Sequence, residues 1–318
     1  MSAWTYTKGL HDLGNSSFAW LQPDGGWGWS NAGLVCDSGE SLLVDTLFDL
    51  RLTHEMLGAM RRAAPAASRI GTLVNTHANG DHCYGNSAVA GARIVASRAS
   101  AAEMDELPPE TMAGLLKNAA ALGPGGEFLA RCFAPFDFAG IRHTPPTETF
   151  SGELRLRVGS KPVVLLEVGP AHTKGDTLVW LPEDGVVFTG DILFIDGTPI
   201  MWAGPVANWI AACERIAALG ASVVVPGHGP ITDAKGALAV RDYLVFVRDQ
   251  ARACFDAGLS PAGAAREIAL GDYAAWGDAE RIAVNVHTLY REWSAGAQGA
   301  ANALELFGLM AELAKRGR

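Results

Sequence analysis

The sequence of 318 residues predicts a mixed α/β domain made of layered sheets and helices. Three patterns lead to this fold class. Short β-rich segments separated by turns come first, segments of strand and helix character then alternate, and the last quarter has helical spacing of Ala, Arg and Leu. The length fits one large domain or two ordinary ones, at roughly 100–200 residues per domain. No low-complexity linker divides the chain.

The first strands are predicted to be antiparallel neighbours at Ser17–Gln22, Asn31–Cys36 and Ser41–Asp45, because the turn sequences PDGGWG and DSGE separate them. Apolar residues at helical spacing over 47–64 predict the first helix, which Pro65 ends. Apolar segments predict the later strands, with a helix at Val206–Leu219 before the last of them. These strands are Ile70–Asn75, Arg93–Ala96, Leu154–Val158, Val163–Val168, Thr177–Leu181, Val186–Thr189 and Ser222–Val225.

Two segments depart from this alternation. Residues 98–150 form a long insertion that is helical near Ala101–Leu122 and then rich in Gly, Pro and Phe. Because loops of this length usually carry function, we expect it to act as a lid. The sequence from Lys235 onward is helical throughout, with Ser260 as the cap that begins a new helix.

Composition excludes several classes of protein. Hydrophobic residues make up 49% of the sequence and charged residues 19%, which excludes a disordered or fibrous chain. No apolar run approaches the roughly 18 residues that span a bilayer, and no export signal opens the sequence, so we expect a soluble protein. The net charge of −9 opposes binding to nucleic acid. Five scattered cysteines without a CxxC pair favour a reducing cytoplasm.

The most informative segment is THANGDH, residues 76–82, directly after a predicted strand. His77, Asp81 and His82 supply the nitrogen and oxygen donors that zinc prefers. Residues 77, 79 and 81 are two apart and can share one face, so His82 must point elsewhere. The loop can therefore supply ligands to two adjacent metal positions.

Three later residues follow the same rule of position. His172 in GPAHTKGD, Asp191 in FTGD and His228 in PGHG each lie just after an apolar strand. We expect the four strand ends to converge on one edge of a sheet and to form a concave polar site. In HTKGD, Asp176 is expected to shape the turn and not to react.

These motifs, in this order, resemble the metallo-β-lactamase superfamily, and GPAHTKGDTLVWLP and VVVPGHGP resemble its broad hydrolase branch. The resemblance implies an αββα sandwich with zinc at the edge between the sheets. Residues 1–232 would form the catalytic domain, with 98–150 as its insertion, and 233–318 a helical C-terminal extension packed on that domain. Asp45 would support the metal loop without binding metal.

Asn79 departs from the family pattern His-x-His-x-Asp-His, because it replaces the middle histidine. An amide oxygen is a much weaker zinc donor than imidazole, so the first position, formed by His77, residue 79 and His172, loses a ligand. The second position, formed by Asp81, His82 and His228 with Asp191 as a shared carboxylate, keeps all its donors. We expect one tightly bound zinc and a second that is absent, weak or held through Asn79. The candidate ligands are His77, Asn79, Asp81, His82, His172, Asp191 and His228.

The expected function is a zinc-dependent hydrolase that uses a metal-bound hydroxide on a small hydrophobic ester, thioester, lactone or similar compound. Asp81 and Asp191 would orient the hydroxide, and His77 and His172 would donate a proton to the leaving group if their metal position is vacant. Aromatic residues in turns and in the insertion favour a flat, apolar substrate. The candidate substrate contacts are Trp27, Trp29, His143 and Trp202.

Alternatives remain on the same ligand set. They are a hydrolytic dehalogenase of aromatic rings, a polyketide cyclase or thioesterase, an iron-dependent oxidoreductase such as a persulfide dioxygenase, and a non-catalytic metal-binding module. Bound zinc would favour hydrolysis, iron would favour redox chemistry, and no metal would favour the binding module. The expected partner is a small-molecule substrate, with no nucleic acid and no membrane, and a homodimer is left open.

Overall fold

The computed structural model describes residues 4–89, 91–294 and 302–316. Seven strands form the first sheet in sequence order, antiparallel from β1 to β4 and parallel from β4 to β7. They are β1 (Gly9–Gly14), β2 (Ser17–Leu21), β3 (Ala32–Asp37), β4 (Glu40–Val44), β5 (Thr72–Val74), β6 (Arg93–Ser97) and β7 (Glu148–Phe150).

Five strands form the second sheet, in the order β12, β11, β10, β9, β8. Its neighbours are antiparallel except β11 and β12, which are parallel. The strands are β8 (Glu153–Val158), β9 (Lys161–Glu167), β10 (Thr177–Leu181), β11 (Val186–Phe188) and β12 (Val223–Val225).

Ten α-helices complete the described part of the chain. They are α1 (Leu50–Ala63), α2 (Gly80–Cys83), α3 (Arg98–Glu103), α4 (Pro109–Lys117), α5 (Gly123–Phe133), α6 (Val206–Ala218), α7 (Ala234–Asp256), α8 (Pro261–Glu267), α9 (Ile282–Trp293) and α10 (Ala303–Arg316). Short 3-10 helices lie between them, among them Gly190–Ile192 and Ala279–Arg281.

The sheets pack face to face. Alternate residues of a strand point to opposite faces, so Leu42 and Val44 join the layer between the sheets, whereas Leu43 joins the layer beneath the helices. Leu165 and Val179 of the second sheet fill the same inner layer. Two sheets between helices confirm the predicted αββα class.

The C-terminal helices share the larger hydrophobic cluster with the helices of the insertion. Helix α10 crosses α5 closely at Gly125, where an added Cβ would lie 2.2 Å from the carbonyl oxygen of Leu304. Glycine therefore permits this contact. Ser260 caps α8 by accepting a hydrogen bond from the Gly263 N–H, as predicted. Among the residues described, no helix is long and apolar enough to cross a membrane.

Most predicted strands are present within one or two residues, but β1 and β7 were not predicted. The structure also corrects one expectation about the site. Strand β5 belongs to the seven-stranded sheet and β9, β11 and β12 to the five-stranded sheet, so the four strand ends meet across two sheets and not at one sheet edge. The insertion forms three α-helices where one helical segment was expected.

Candidate metal centre

The loop after β5 is held by hydrogen bonds to the backbone carbonyl oxygen of His82. The carbonyl oxygen of His82 accepts hydrogen bonds from the Thr46 N–H, at 3.0 Å, and from the Asn75 side-chain amide, at 2.9 Å. Helix α2 then begins at Gly80, and its first turn brings Asp81 and His82 to the interior. The loop thus has a fixed shape.

The first group of donors is His77, His172 and Asp191, all buried. The Nε2 atoms of His77 and His172 lie 3.6 and 3.4 Å from Oδ2 of Asp191. Asp191 fits here because Gly227 has no side chain, since a Cβ on Gly227 would lie 2.0 Å from Oδ1 of Asp191. The three donors come from three different strand ends.

The second group is Asp81, His82 and His228, also buried. Nε2 of His82 lies 3.8 Å from Oδ2 of Asp81, and Nε2 of His228 lies 3.2 Å from the same oxygen. Asp191 lies between the groups, because its Oδ1 is 3.1 Å from His82 Nε2 and its Oδ2 is 3.4 Å from His228 Nε2.

The donor set fits a metal ion. Nε2 of His77, Nε2 of His82 and Oδ1 of Asp191 are buried without hydrogen-bond partners among the described residues. Buried polar atoms are normally paired, so these three need a partner. Ligands at 2.0–2.1 Å from a tetrahedral zinc stand about 3.3 Å apart, which matches the distances above.

Asp45 orients histidines of both groups. Its Oδ2 accepts from Nδ1 of His82 at 2.9 Å and from the Thr76 hydroxyl at 2.7 Å, and that hydroxyl lies 3.0 Å from Nδ1 of His77. Nδ1 of His172 donates to the carbonyl oxygen of Ile200 at 2.6 Å. In the rings of His77, His82 and His172 the Nδ1 proton is engaged, which leaves the Nε2 lone pair available to a metal.

The four histidines fall into two pairs whose pKa values shift in opposite directions. Burial lowers the pKa of His77 well below its ordinary value, and burial also lowers the pKa of His172. Burial opposes the charged form of His82 and His228 as well, but the carboxylates of Asp191 and Asp81 outweigh it. They raise the pKa of His82 well above its ordinary value and that of His228 to about 9.

Asn79 lies beside the first group. Its side-chain Nδ2 is 3.4 Å from Nε2 of His172. The amide oxygen and nitrogen are exchangeable by rotation, so the oxygen can occupy the same place. The first group nevertheless has three stronger donors without Asn79, because Asp191 joins His77 and His172.

A cavity of about 430 Å³ opens onto both groups. The insertion forms one wall through Leu115, Leu129 and Phe133, and α10 contributes Phe307. Asn79, Asp81, His172, Asp191 and His228 reach the cavity surface. The insertion therefore forms part of the wall of the cavity that opens onto the metal centre.

Two of the four predicted substrate contacts, Trp27 and Trp202, line this cavity. Trp29 does not, because its ring packs on Phe136 with centroids 4.8 Å apart. His143 also lies outside the lining, since its Nε2 pairs with Oδ1 of Asp105 at 2.8 Å. Neither Trp29 nor His143 therefore lies in the wall of this cavity.

Sequence reasoning missed several lining residues. Phe194 stands three residues after Asp191, and this proximity was a usable signal. Phe307 and Arg281 come from the helical tail, where nothing in the sequence distinguishes a cavity residue from a core residue. The missed set includes Phe48, Tyr84, Glu103, Glu106, Phe194, Ile200, Arg281 and Phe307.

Asp176 holds the loop that carries His172. The Thr173 N–H and hydroxyl both donate to its carboxylate, the hydroxyl at 2.6 Å. The structure thus places Asp176 in the turn, as expected. Burial raises the pKa of Asp176 to about 7 in spite of these hydrogen bonds.

We expect Asp176→Asn to flatten the pH dependence of stability. The folded chain keeps the Asp176 proton to about pH 7, whereas the unfolded chain releases it near pH 4, so the free energy of unfolding falls as pH rises through this window. The asparagine variant should lose that fall, worth a few kcal/mol at most at about 1.36 kcal/mol per pKa unit. Urea denaturation with a chelator present measures it, and the exposed Asp272→Asn should behave like the parent.

Residues 25–228 match the family model of the metallo-beta-lactamase superfamily. The chain belongs to this superfamily of metallo-hydrolases, which confirms the predicted resemblance.

Similarity to individual proteins is lower. The chain is 27% identical over 172 residues to the hydroxyacylglutathione hydrolase of Methylococcus capsulatus, covering 54% of this chain and 53% of that protein. It is 29% identical over 90 residues to the 2,4-dinitroanisole O-demethylase subunit alpha of a Nocardioides species, covering 26% of each. The chain thus spans about half the length of the first relative and less of the second.

The sec-alkylsulfatase of a Pseudomonas species, described as stereoselective and inverting, shares the fold. Its structure superposes with a TM-score of 0.67 at 14% identity, over 92% of this chain and 51% of that one.

Proposed function

We propose that the protein is a zinc-dependent hydrolase of a small, largely hydrophobic ester, thioester or lactone. The observation that carries the proposal is the pair of three-donor groups, joined by Asp191, at the base of an apolar cavity. The relative named as a hydroxyacylglutathione hydrolase supports the hydrolytic reaction class. We also propose that the reaction takes place in the cytoplasm and involves neither nucleic acid nor membrane.

We assign the metal positions to the two groups, with His77, His172 and Asp191 at the first and Asp81, His82 and His228 at the second. Asn79 is a weak additional donor at the first. Bound zinc supplies a Lewis acid and lowers the pKa of water from about 15.7 to about 7.

The protein's own residues then position the reactants. Asp81 faces the cavity as a carboxylate, since His82 and His228 lower its pKa against the effect of burial, and it orients the attacking water. In hydrolysis the water oxygen joins the acyl carbon, and the bond from that carbon to the leaving oxygen or sulfur breaks. In the form with one zinc, in which the first position is empty, Nε2 of His172 is free at the cavity surface, and His172 is the group we assign to take the proton that the water releases and to return it to the leaving atom.

A second candidate is hydrolysis at an aromatic ring, as in a hydrolytic dehalogenase. The cavity favours it through its aromatic walls, which include Trp27, Phe133, Phe194 and Trp202. The relative named as a 2,4-dinitroanisole O-demethylase subunit points to the same kind of substrate.

The test is metal analysis of the purified protein followed by assays of the zinc-loaded protein against aryl esters, thioesters, lactones and halogenated aromatics. We expect zinc and turnover of the ester or thioester group. Iron with oxygen consumption would overturn the proposal, as would full activity after the metal is removed. Turnover of halogenated aromatics alone would replace it with the second candidate.

Activity should rise with pH through a single deprotonation and then level off. Since the metal sets the acidity of the attacking water, the midpoint should move when cobalt replaces zinc. The measurement is the pH profile of kcat/KM for both metal forms. An identical midpoint would assign the deprotonation to a side chain.

A further inference from the structure

Arg281 is a buried cation in the cavity wall that the metal centre does not use. It is 2% exposed, and it lines the cavity. Its Nη1 donates to the carbonyl oxygen of Thr198 at 2.9 Å, and its Nη2 pairs with Oδ2 of Asp278 at 2.9 Å. Its Nε has no hydrogen-bond partner among the described residues. A buried N–H without a partner is costly, so this donor lacks an acceptor.

Two aromatic rings fix the position of the guanidinium group. Its central carbon lies 4.4 Å from the ring centroid of Trp27 and 5.2 Å from that of Phe194. Phe194 in turn stacks on His228, with centroids 5.0 Å apart and an angle of 2° between the rings. One ring therefore separates Arg281 from the metal centre.

The other charged groups of the wall outside the metal centre are already paired. The backbone N–H of Lys174 donates to the Glu103 carboxylate at 2.9 Å, and the Lys174 ammonium group pairs with the Glu106 carboxylate at 2.5 Å. The remaining lining is mainly apolar. Arg281 is therefore the cation of this wall that still has an N–H without an acceptor among the described residues.

We propose that Arg281 binds an oxygen acceptor, a carboxylate or a carbonyl, at the non-reacting end of the substrate. This inference rests on the proposed hydrolase function, because it places the bond to be broken at the metal centre. The planar guanidinium group, held between two rings, loses little freedom when it makes the new hydrogen bond. The substrate would then be apolar in its middle and polar at both ends.

The test measures binding by calorimetry with 4-phenylbutyrate and 4-phenylbutyramide. The parent protein should bind at least one of them, and Arg281→Met should weaken that binding by about tenfold, because charge-assisted hydrogen bonds are the strong ones. Arg281→Lys should retain part of the affinity. The matched control is Arg248→Met, which removes an arginine of the same helical tail that pairs with Asp249 and does not line the cavity.

If Arg281→Met weakens the binding of 4-phenylbutyrate alone, the site binds a carboxylate. If it weakens the binding of both ligands, the site binds the carbonyl group that they share. Binding must also survive removal of the metal by a chelator. No binding to the parent, unchanged affinities in Arg281→Met, or binding that depends on the metal alone would each overturn the proposal. Absent turnover with this binding intact would reject only the hydrolase function.

Arg281→Met removes buried hydrogen bonds, so a second variant tests the same idea without truncating the arginine. Asp278 lies at φ 57°, a conformation that asparagine accepts, and Asp278→Asn removes the charge that partly neutralises Arg281. The affinity for 4-phenylbutyrate should rise several-fold. An unchanged or lower affinity would contradict the assignment.

Discussion

Asp81→Ala is expected to remove most of the bound zinc and to lower kcat/KM by at least about 100-fold, since even residues outside the ligand set commonly change affinity or activity by about 10–100-fold. The variant loses one of three donors in the second group, and it leaves His228 without the carboxylate at 3.2 Å. His228→Ala should have the same effect. Asp272→Ala, an exposed carboxylate in the tail, is the matched control.

Asn79→His tests the same unequal donor sets in the opposite direction. The parent should hold close to one zinc per chain, and the variant should approach two, because imidazole is a stronger donor than an amide beside His172. Elemental analysis after dialysis measures both. Two tightly bound zincs in the parent would show that His77, His172 and Asp191 suffice without a fourth protein donor.

Phe133→Ala is expected to change which substrates are accepted. Phe133 lines the cavity and packs edge-on against Trp27, with centroids 5.8 Å apart, so its removal enlarges the space above the metal centre. The ratio of kcat/KM for a bulky ester to that for a small one should shift by about tenfold toward the bulky ester. Stability should fall by about 3–5 kcal/mol, as for other buried phenylalanines.

Phe136→Ala is the matched control for this prediction. Phe136 belongs to the same insertion and is equally buried, but it packs on Trp29 and Phe48 and does not line the cavity. It should lose similar stability with no change in the substrate ratio. Equal shifts in both variants would make the insertion a structural support. Point variants are used here because the insertion contributes residues such as Phe128 and Leu129 to the main hydrophobic cluster, so deleting part of it would disturb the fold.

The ligand residues could be found from sequence because each follows an apolar strand, and the ends of buried strands are where loops carry chemistry. The pairing of those strands was less accessible. Nothing local in β5 or β9 says which sheet the strand joins, since that choice depends on contacts between distant residues. Strand β1 was missed because GLHDLG lacks a buried apolar face, and its residues are exposed or half-buried.

Side-chain direction was the main limit for the substrate contacts. Trp27 and Trp29 are two residues apart, and only the packing of Trp29 on Phe136 separates their roles. Arg281 illustrates a different limit. In sequence a buried arginine looks like a surface arginine, because its burial results from Trp27, Phe194 and Asp278 converging on it from separate segments.

Asp45 sets the orientation of metal ligands in both groups independently of which residue supplies the remaining donors. The single carboxylate, on a residue with φ 61°, holds His82 of one group directly and His77 of the other through Thr76. A donor such as residue 79 can therefore change from imidazole to amide without turning its neighbours. A change at Asp45 would misdirect both positions together. The two metal positions can thus come to prefer different metals, while the same Asp45 carboxylate still orients histidines of both.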